Sequence, residues 1–125
     1  MGLPQTYRLK RRQAFKAVYK KGLRCRGRYL TLRALPVRGE RLPPPQFGIA
    51  VSQKVSKKAV VRNRIKRQLR AAFKALLPQI QPGWKVVAIA KPGASACDYQ
   101  YFLQELEQLL VRAEVSDGSP RGNVF

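Results

Sequence analysis

Over residues 1–97 the chain carries 24 lysines and arginines against one acid, Glu40, a net charge of +23. Residues 98–125 reverse the sign: Arg112 and Arg121 stand against Asp98, Glu105, Glu107, Glu114 and Asp117, a net of −3. A field of this kind repels itself and opposes a compact state. Such a chain either stays an open polyelectrolyte or folds and meets a polyanion. Composition decides for folding, because 45% of the residues are hydrophobic and eleven are aromatic, where a disordered basic tail would be poor in both. The length of 125 residues fits one domain. Nucleic acid is the default polyanion, since each neutralised phosphate releases counterions. An anionic membrane surface or a heparin-like polymer is the weaker alternative.

The residue inventory excludes several chemistries. There is no histidine, the usual base of a nucleophilic triad or dyad. A zinc site would have to be built from Cys25 and Cys97 with carboxylates, and neither number nor spacing supports one. No apolar run approaches the ~18 residues of a membrane span. No apolar run follows the basic N-terminus, so no secretory signal is visible. The two cysteines read as reduced thiols of a cytosolic protein, with a disulfide as the alternative.

Periodicity gives alternating element types. Residues 9–20 place Ala14, Phe15, Val18 and Tyr19 on one helix face, with Gly22 to end the helix. Residues 28–36 alternate Leu30, Leu32 and Ala34 with Tyr29, Thr31 and Arg33, the pattern of a half-buried strand. Pro43-Pro44-Pro45 interrupts, and residues 46–52 read as a second strand. Residues 57–77 form the strongest helix, with Val61, Ile65, Leu69, Ala72, Phe73 and Leu76 as its stripe, Ser56 as candidate N-cap and Pro78 as its stop. Residues 84–90 are a third main strand, and residues 98–113 a last helix capped by Asp98. The order implies an α+β sandwich with helices covering one sheet face. Residues 1–115 are expected to form the domain and residues 116–125 a disordered tail.

The third-strand-preceding helix holds the densest charge. Lys57, Lys58, Arg62, Arg64, Lys66, Arg67, Arg70 and Lys74 lie on it, with Lys54 just before. Arg67, Arg70 and Lys74 fall opposite the apolar stripe, near Asn63, and Arg62 and Lys66 fall at its border. A basic helix face is ordinarily just solvated. Here the run contains no acid to form i,i+4 pairs, which favours an external anion. Arginine's fork suits bidentate phosphate contacts.

These residues carry a resemblance. Val60-Val61-Arg62-Asn63-Arg64-Ile65-Lys66-Arg67, preceded by Gly48-Ile49-Ala50-Val51-Ser52-Gln53-Lys54, resembles the signature of the bacterial ribonuclease P protein component family. That family carries an Arg-Asn-Arg motif on a helix that follows such a strand. Leu9-Lys10 with Phe15, Val18, Tyr19 and Lys21-Gly22 looks like its first helix, and residues 86–94 (VVAIAKPGA) look like its third main strand end. The match runs over residues 7–113 in the family's order. The Arg-Asn-Arg helix is specific, and the other pieces are individually weak.

The resemblance implies a fold and a function. The fold is one mostly antiparallel sheet of about four strands with three helices and a left-handed βαβ crossover, against the right-handed rule. The function is that of the protein subunit of ribonuclease P, which removes the 5′ leader of precursor tRNA. The RNA subunit holds the Mg2+ and performs the chemistry, so no catalytic residue and no metal ligand is expected in the protein. By the same resemblance Lys54, Lys57, Lys58, Arg62, Asn63, Arg64, Lys66, Arg67 and Arg70 bind the catalytic RNA. Arg11, Phe15, Tyr19 and Arg33 would meet the leader. At Arg33, where some members carry an aromatic, a charge contact would replace stacking. Gln53 stands where lysine is common. The implied partners are the catalytic RNA and precursor tRNA, with no membrane, and the free protein is expected to be monomeric and cytoplasmic.

Two readings of Phe15 and Tyr19 stand side by side. Aromatics over a basic groove suit unpaired RNA, since stacking is worth ~1–3 kcal/mol per base. At helical spacing they are equally core residues. Other classes are a structural RNA-binding protein, which the Arg-Asn-Arg segment with the aromatic first helix disfavours, and a protein-only nuclease. The last fails because one acid in residues 1–97 cannot hold two metal ions.

Overall fold

The structure is a computed structural model and describes residues 3–116. Its elements are α1 (Arg12–Lys21), β1 (Leu23–Arg26), β2 (Leu30–Pro36), β3 (Gln46–Ala50), α2 (Ala59–Leu76), β4 (Trp84–Ala90) and α3 (Tyr99–Arg112), with 3-10 turns at Gln5–Tyr7, Leu77–Gln79 and Ala94–Ala96. The four strands form one sheet in the order β1-β2-β4-β3. β1 and β4 each pair antiparallel with β2, and β3 runs parallel to β4, so α2 makes the crossover of a βαβ unit. The fold is the expected α+β sandwich with three helices on a four-stranded, mostly antiparallel sheet.

One face of the sheet carries the main core. Leu30, Leu32 and Ala34 of β2 and Val86, Ala88 and Ala90 of β4 meet Ile65, Leu69, Phe73 and Leu76 of α2 and Phe102, Leu106, Leu109 and Leu110 of α3. Phe47 of β3 stacks on Phe73, with ring centroids 4.2 Å apart. Helices do not cover that face alone, however. Val87 of β4 points the other way and packs with Val18 of α1 and Leu9, flanked by Phe15, Leu35 and Ile89. α1 therefore lies on the opposite face from α2 and α3, which corrects the one-face expectation. The physical signal is the unbroken apolar run Val86–Ala90, the mark of a strand buried on both sides.

Boundaries moved for specific reasons. α1 begins at Arg12 rather than Leu9, because the residues before it join the sheet edge: Arg8 bridges Phe47 in parallel, and Leu9 N donates to Phe47 O at 2.9 Å. Gly22 ends α1 in an extended conformation. Its role is space, since a Cβ there would stand 2.5 Å from Val18 O and 2.9 Å from Ala34 O. Ser56 is not the N-cap of α2. Lys58 holds that position without a side-chain cap, and Ser56 Oγ, two residues earlier, accepts from Lys58 N at 3.2 Å. Asp98 caps α3 as expected, its Oδ1 accepting from Tyr101 N at 2.9 Å. β1 is an edge strand with little burial, so its four residues carry no hydrophobic pattern.

Cys25 and Cys97 are free thiols. No helix among the described residues is long and apolar enough to cross a membrane. The tail expected over 116–125 lies outside the described residues except for Ser116, which is buried and bridges Ile80.

Candidate nucleic-acid interface

α2 buries Ile65, Leu69, Ala72, Phe73 and Leu76 against the sheet and α3, which fixes its rotation. The period of 3.6 then leaves Asn63, Arg67 and Lys74 exposed, with Arg62, Arg64, Lys66 and Arg70 half-buried along the borders. Lys54, Lys57 and Lys58 are exposed on the approach to the helix. The helix has no acid in its first turn. Its N-terminal end thus adds a positive dipole to the lysines instead of being offset by a carboxylate.

The two arginines of the Arg-Asn-Arg run are anchored to backbone. Arg62 Nη1 donates to Ser56 O at 2.9 Å. Arg64 Nη2 donates to Ser95 O at 2.8 Å and its Nη1 to Cys97 O at 3.4 Å. Each fork retains further N–H groups for an outside partner. Asn63, Lys66, Arg67 and Arg70 instead come together with Arg8 around a hollow of about 340 Å³.

Arg8 links this hollow to two more. One of about 360 Å³ is bordered by Arg8, Lys10, Phe15, Gly48 and Arg70. Another of about 380 Å³ is bordered by Arg8, Lys10, Arg11, Gln46 and Lys85. Together they make a basic groove from α2, past the β3 edge, to the start of α1. Arg8 is steadied by its Nε, which donates to Leu3 O at 2.6 Å. The Arg70 guanidinium is pushed below its ordinary pKa, first by burial and then by the charge of Arg8. Like charges held this close favour an anion between them. Arg8, Lys10 and Lys85 are groove residues that the sequence reading did not select. Arg8 precedes α1, where no periodic pattern places it, and only pairing with β3 brings it to the groove.

The four candidates for the leader divide. Arg11 and Phe15 border the groove, and Phe15 is half-buried, its ring on Gly48 and beside Leu9. Phe15 thus packs with one part of its side chain and lines the groove with another. Val18, fully buried, is the true core residue of α1. Tyr19 is 39% exposed and lies at the other end of α1. Burial raises its hydroxyl pKa, and the charge of Arg33 partly opposes this. Arg33 Nη2 donates to the Tyr19 carbonyl. Arg33 thus ties β2 to the C-terminal end of α1, and neither it nor Tyr19 borders the three hollows.

A family model described as Ribonuclease P matches residues 3–114. The chain is 55% identical to the ribonuclease P protein component of Microcystis aeruginosa, over 94% of this chain and 99% of that protein. It is 51% identical to the corresponding protein of a Cyanothece species, over 93% and 98%. Among solved structures, the Staphylococcus aureus RNase P protein superposes with a TM-score of 0.78 at 30% identity, over 90% of this chain and all of that one.

Proposed function

The chain belongs to the ribonuclease P protein family, and from that premise we propose that it binds the catalytic RNA through α2 and the 5′ leader of precursor tRNA through the Arg8 groove. Ribonuclease P is an endoribonuclease of tRNA processing, and a protein component of it works beside an RNA. The observation that carries the reading is the continuity of the groove: one arginine, Arg8, borders all three hollows between α2 and Phe15. A single strand leaving an RNA bound on α2 would meet an unbroken line of cations and then an aromatic ring.

The residues take distinct roles in this reading. Asn63, Lys66, Arg67 and Arg70 face the catalytic RNA from the hollow, and Lys54, Lys57 and Lys58 extend that surface around the start of α2. Arg62 and Arg64 reach the same RNA with the N–H groups left over from their backbone anchors. Phe15 stacks on a leader base, while Arg11 and Arg8 hold phosphates. Tyr19 and Arg33 continue the leader path along α1.

Catalysis and Mg2+ belong to the RNA. Of the described acids, Asp98 caps α3, Glu105 accepts from two backbone amides, and Glu107 accepts from Gln79 Nε2 at 3.1 Å. Among the described residues no three His, Cys, Asp or Glu side chains are grouped to hold a metal. The free protein is read as a monomer, kept apart by its charge, and as cytoplasmic, where free thiols persist. Reconstitution tests the whole reading. The protein added to its cognate catalytic RNA at low Mg2+ should restore 5′-leader cleavage; no restoration sinks it.

A further inference from the structure

On the α2–α3 side of the sheet, away from the Phe15 groove, lies a separate hollow of about 300 Å³ bordered by Arg28, Tyr29, Ala96, Cys97, Asp98 and Tyr101. None of these side chains is given an RNA contact in the reading above. We infer that this hollow is a nucleobase pocket, which takes one unpaired base of the catalytic RNA beside the helix α2 surface. The inference rests on α2 being the RNA-binding helix.

The walls suit a base. Tyr29 and Tyr101 stand edge to face, with centroids 5.3 Å apart and planes at 73°, so they offer two differently oriented aromatic surfaces. The Arg28 guanidinium lies 5.4 Å from the centroid of Tyr29. Both rings are only partly buried, and Ala96 and Cys97 supply small neighbours. Tyr29 is held from behind: its ring rests on Gly93, where a Cβ would stand 3.2 Å from Tyr29 Cε1, and its backbone N donates to both oxygens of Glu105, at 3.2 and 3.0 Å.

Position and charge choose RNA, and choose a base over a phosphate. Arg64, on α2, donates to the carbonyls of Ser95 and Cys97, so the rim of the hollow is bonded to the RNA-binding helix itself. Burial chiefly raises the pKa of the Cys97 thiol, the charges of Glu105 and Asp98 add to this, and the charges of Arg28 and Arg64 oppose it, so cations and carboxylates both stand near the rim. Asp98 borders the same space, and its carboxylate repels a phosphate there. With Oδ1 taken by Tyr101 N, the second oxygen remains an acceptor for an exocyclic amino group, the contact carboxylates make to cytosine N4. The backbone phosphates would then lie on Arg28 and Arg64 while the base enters between the tyrosines.

The test uses the full chain with its catalytic RNA and no tRNA. Ultraviolet crosslinking followed by peptide mass spectrometry should find RNA attached at Tyr29 or Tyr101. Tyr101→Leu should weaken RNA binding roughly tenfold, the scale of one stacked base, with an unchanged salt slope. Tyr101→Phe should bind like the parent. Crosslinks that appear only when precursor tRNA is added overturn the inference, as does Tyr101→Leu binding like the parent, or Tyr101→Phe losing as much as Tyr101→Leu. Arg67→Ala run in parallel separates the two readings: if it leaves the salt slope unchanged, the α2 reading fails, whatever the tyrosines show.

Discussion

The ring of Phe15 lies so close on Gly48 that a Cβ at position 48 would stand 2.5 Å from Phe15 Cζ and 2.7 Å from Cε1. Helix α1 and strand β3 meet there without a side chain between them, and the ring is thereby held at the groove. Gly48→Ala must displace the ring. We expect a stability loss of about 1–3 kcal/mol, the usual cost of overpacking, read by denaturant titration. Affinity for precursor tRNA should fall with it, and affinity for mature tRNA should not.

Phe15→Ala separates packing from binding. The ring is half-buried, so its removal should cost less stability than Val18→Ala costs relative to side-chain size. Precursor tRNA binding by the reconstituted holoenzyme should weaken by about 1–3 kcal/mol. Equal losses for precursor and mature tRNA would leave Phe15 a packing residue only.

Arg67 and Arg64 should behave differently although both belong to the basic helix. Arg67 is exposed, so Arg67→Ala should leave the thermal midpoint in place and reduce the salt slope of RNA binding by about one unit. Arg64 also fastens α2 to the turn at Ser95 and Cys97. Arg64→Ala should therefore lower both RNA affinity and stability, and Arg64→Lys should not restore the two-carbonyl contact.

Glu105 is 6% exposed and accepts from Leu30 N at 2.6 Å as well as from Tyr29 N. Glu105→Ala would leave two backbone donors short of an acceptor at the turn into β2. A loss of about 2–4 kcal/mol is expected from charged hydrogen bonds of this kind. Hydrogen exchange at the Leu30 amide reports it directly; an unchanged protection factor would refute the assignment.

Much of this was legible in the sequence, and the rest was hidden for identifiable reasons. The stripe Ile65, Leu69, Phe73 and Leu76 repeats at helical spacing, so α2 and its basic face could be read directly. Asp98 was recognisable as a cap because it precedes an apolar periodic run. The anchors of Arg62 and Arg64 could not be read, since their acceptors are carbonyls, which every residue owns. Arg8 was hidden because its place depends on a pairing between segments some forty residues apart. Ser56 misled because a serine oxygen can close a turn before a helix as readily as cap one. The side on which α1 packs was written in Val87 and Ile89, but Thr31 and Arg33 on the neighbouring strand suggested that this face was open.

The segment around Arg8 and Leu9 has a consequence for the sheet as a polymerisable object. β3 is the last strand of the sheet, and an uncovered edge strand is a template for another chain. Pairing with residues before α1 occupies part of that edge and, in the same contact, sets Arg8 into the groove. Guarding against self-association and building the basic groove are therefore one event in this chain. Proteolytic loss of the segment up to Arg8 would yield a protein both poorer in RNA binding and readier to aggregate.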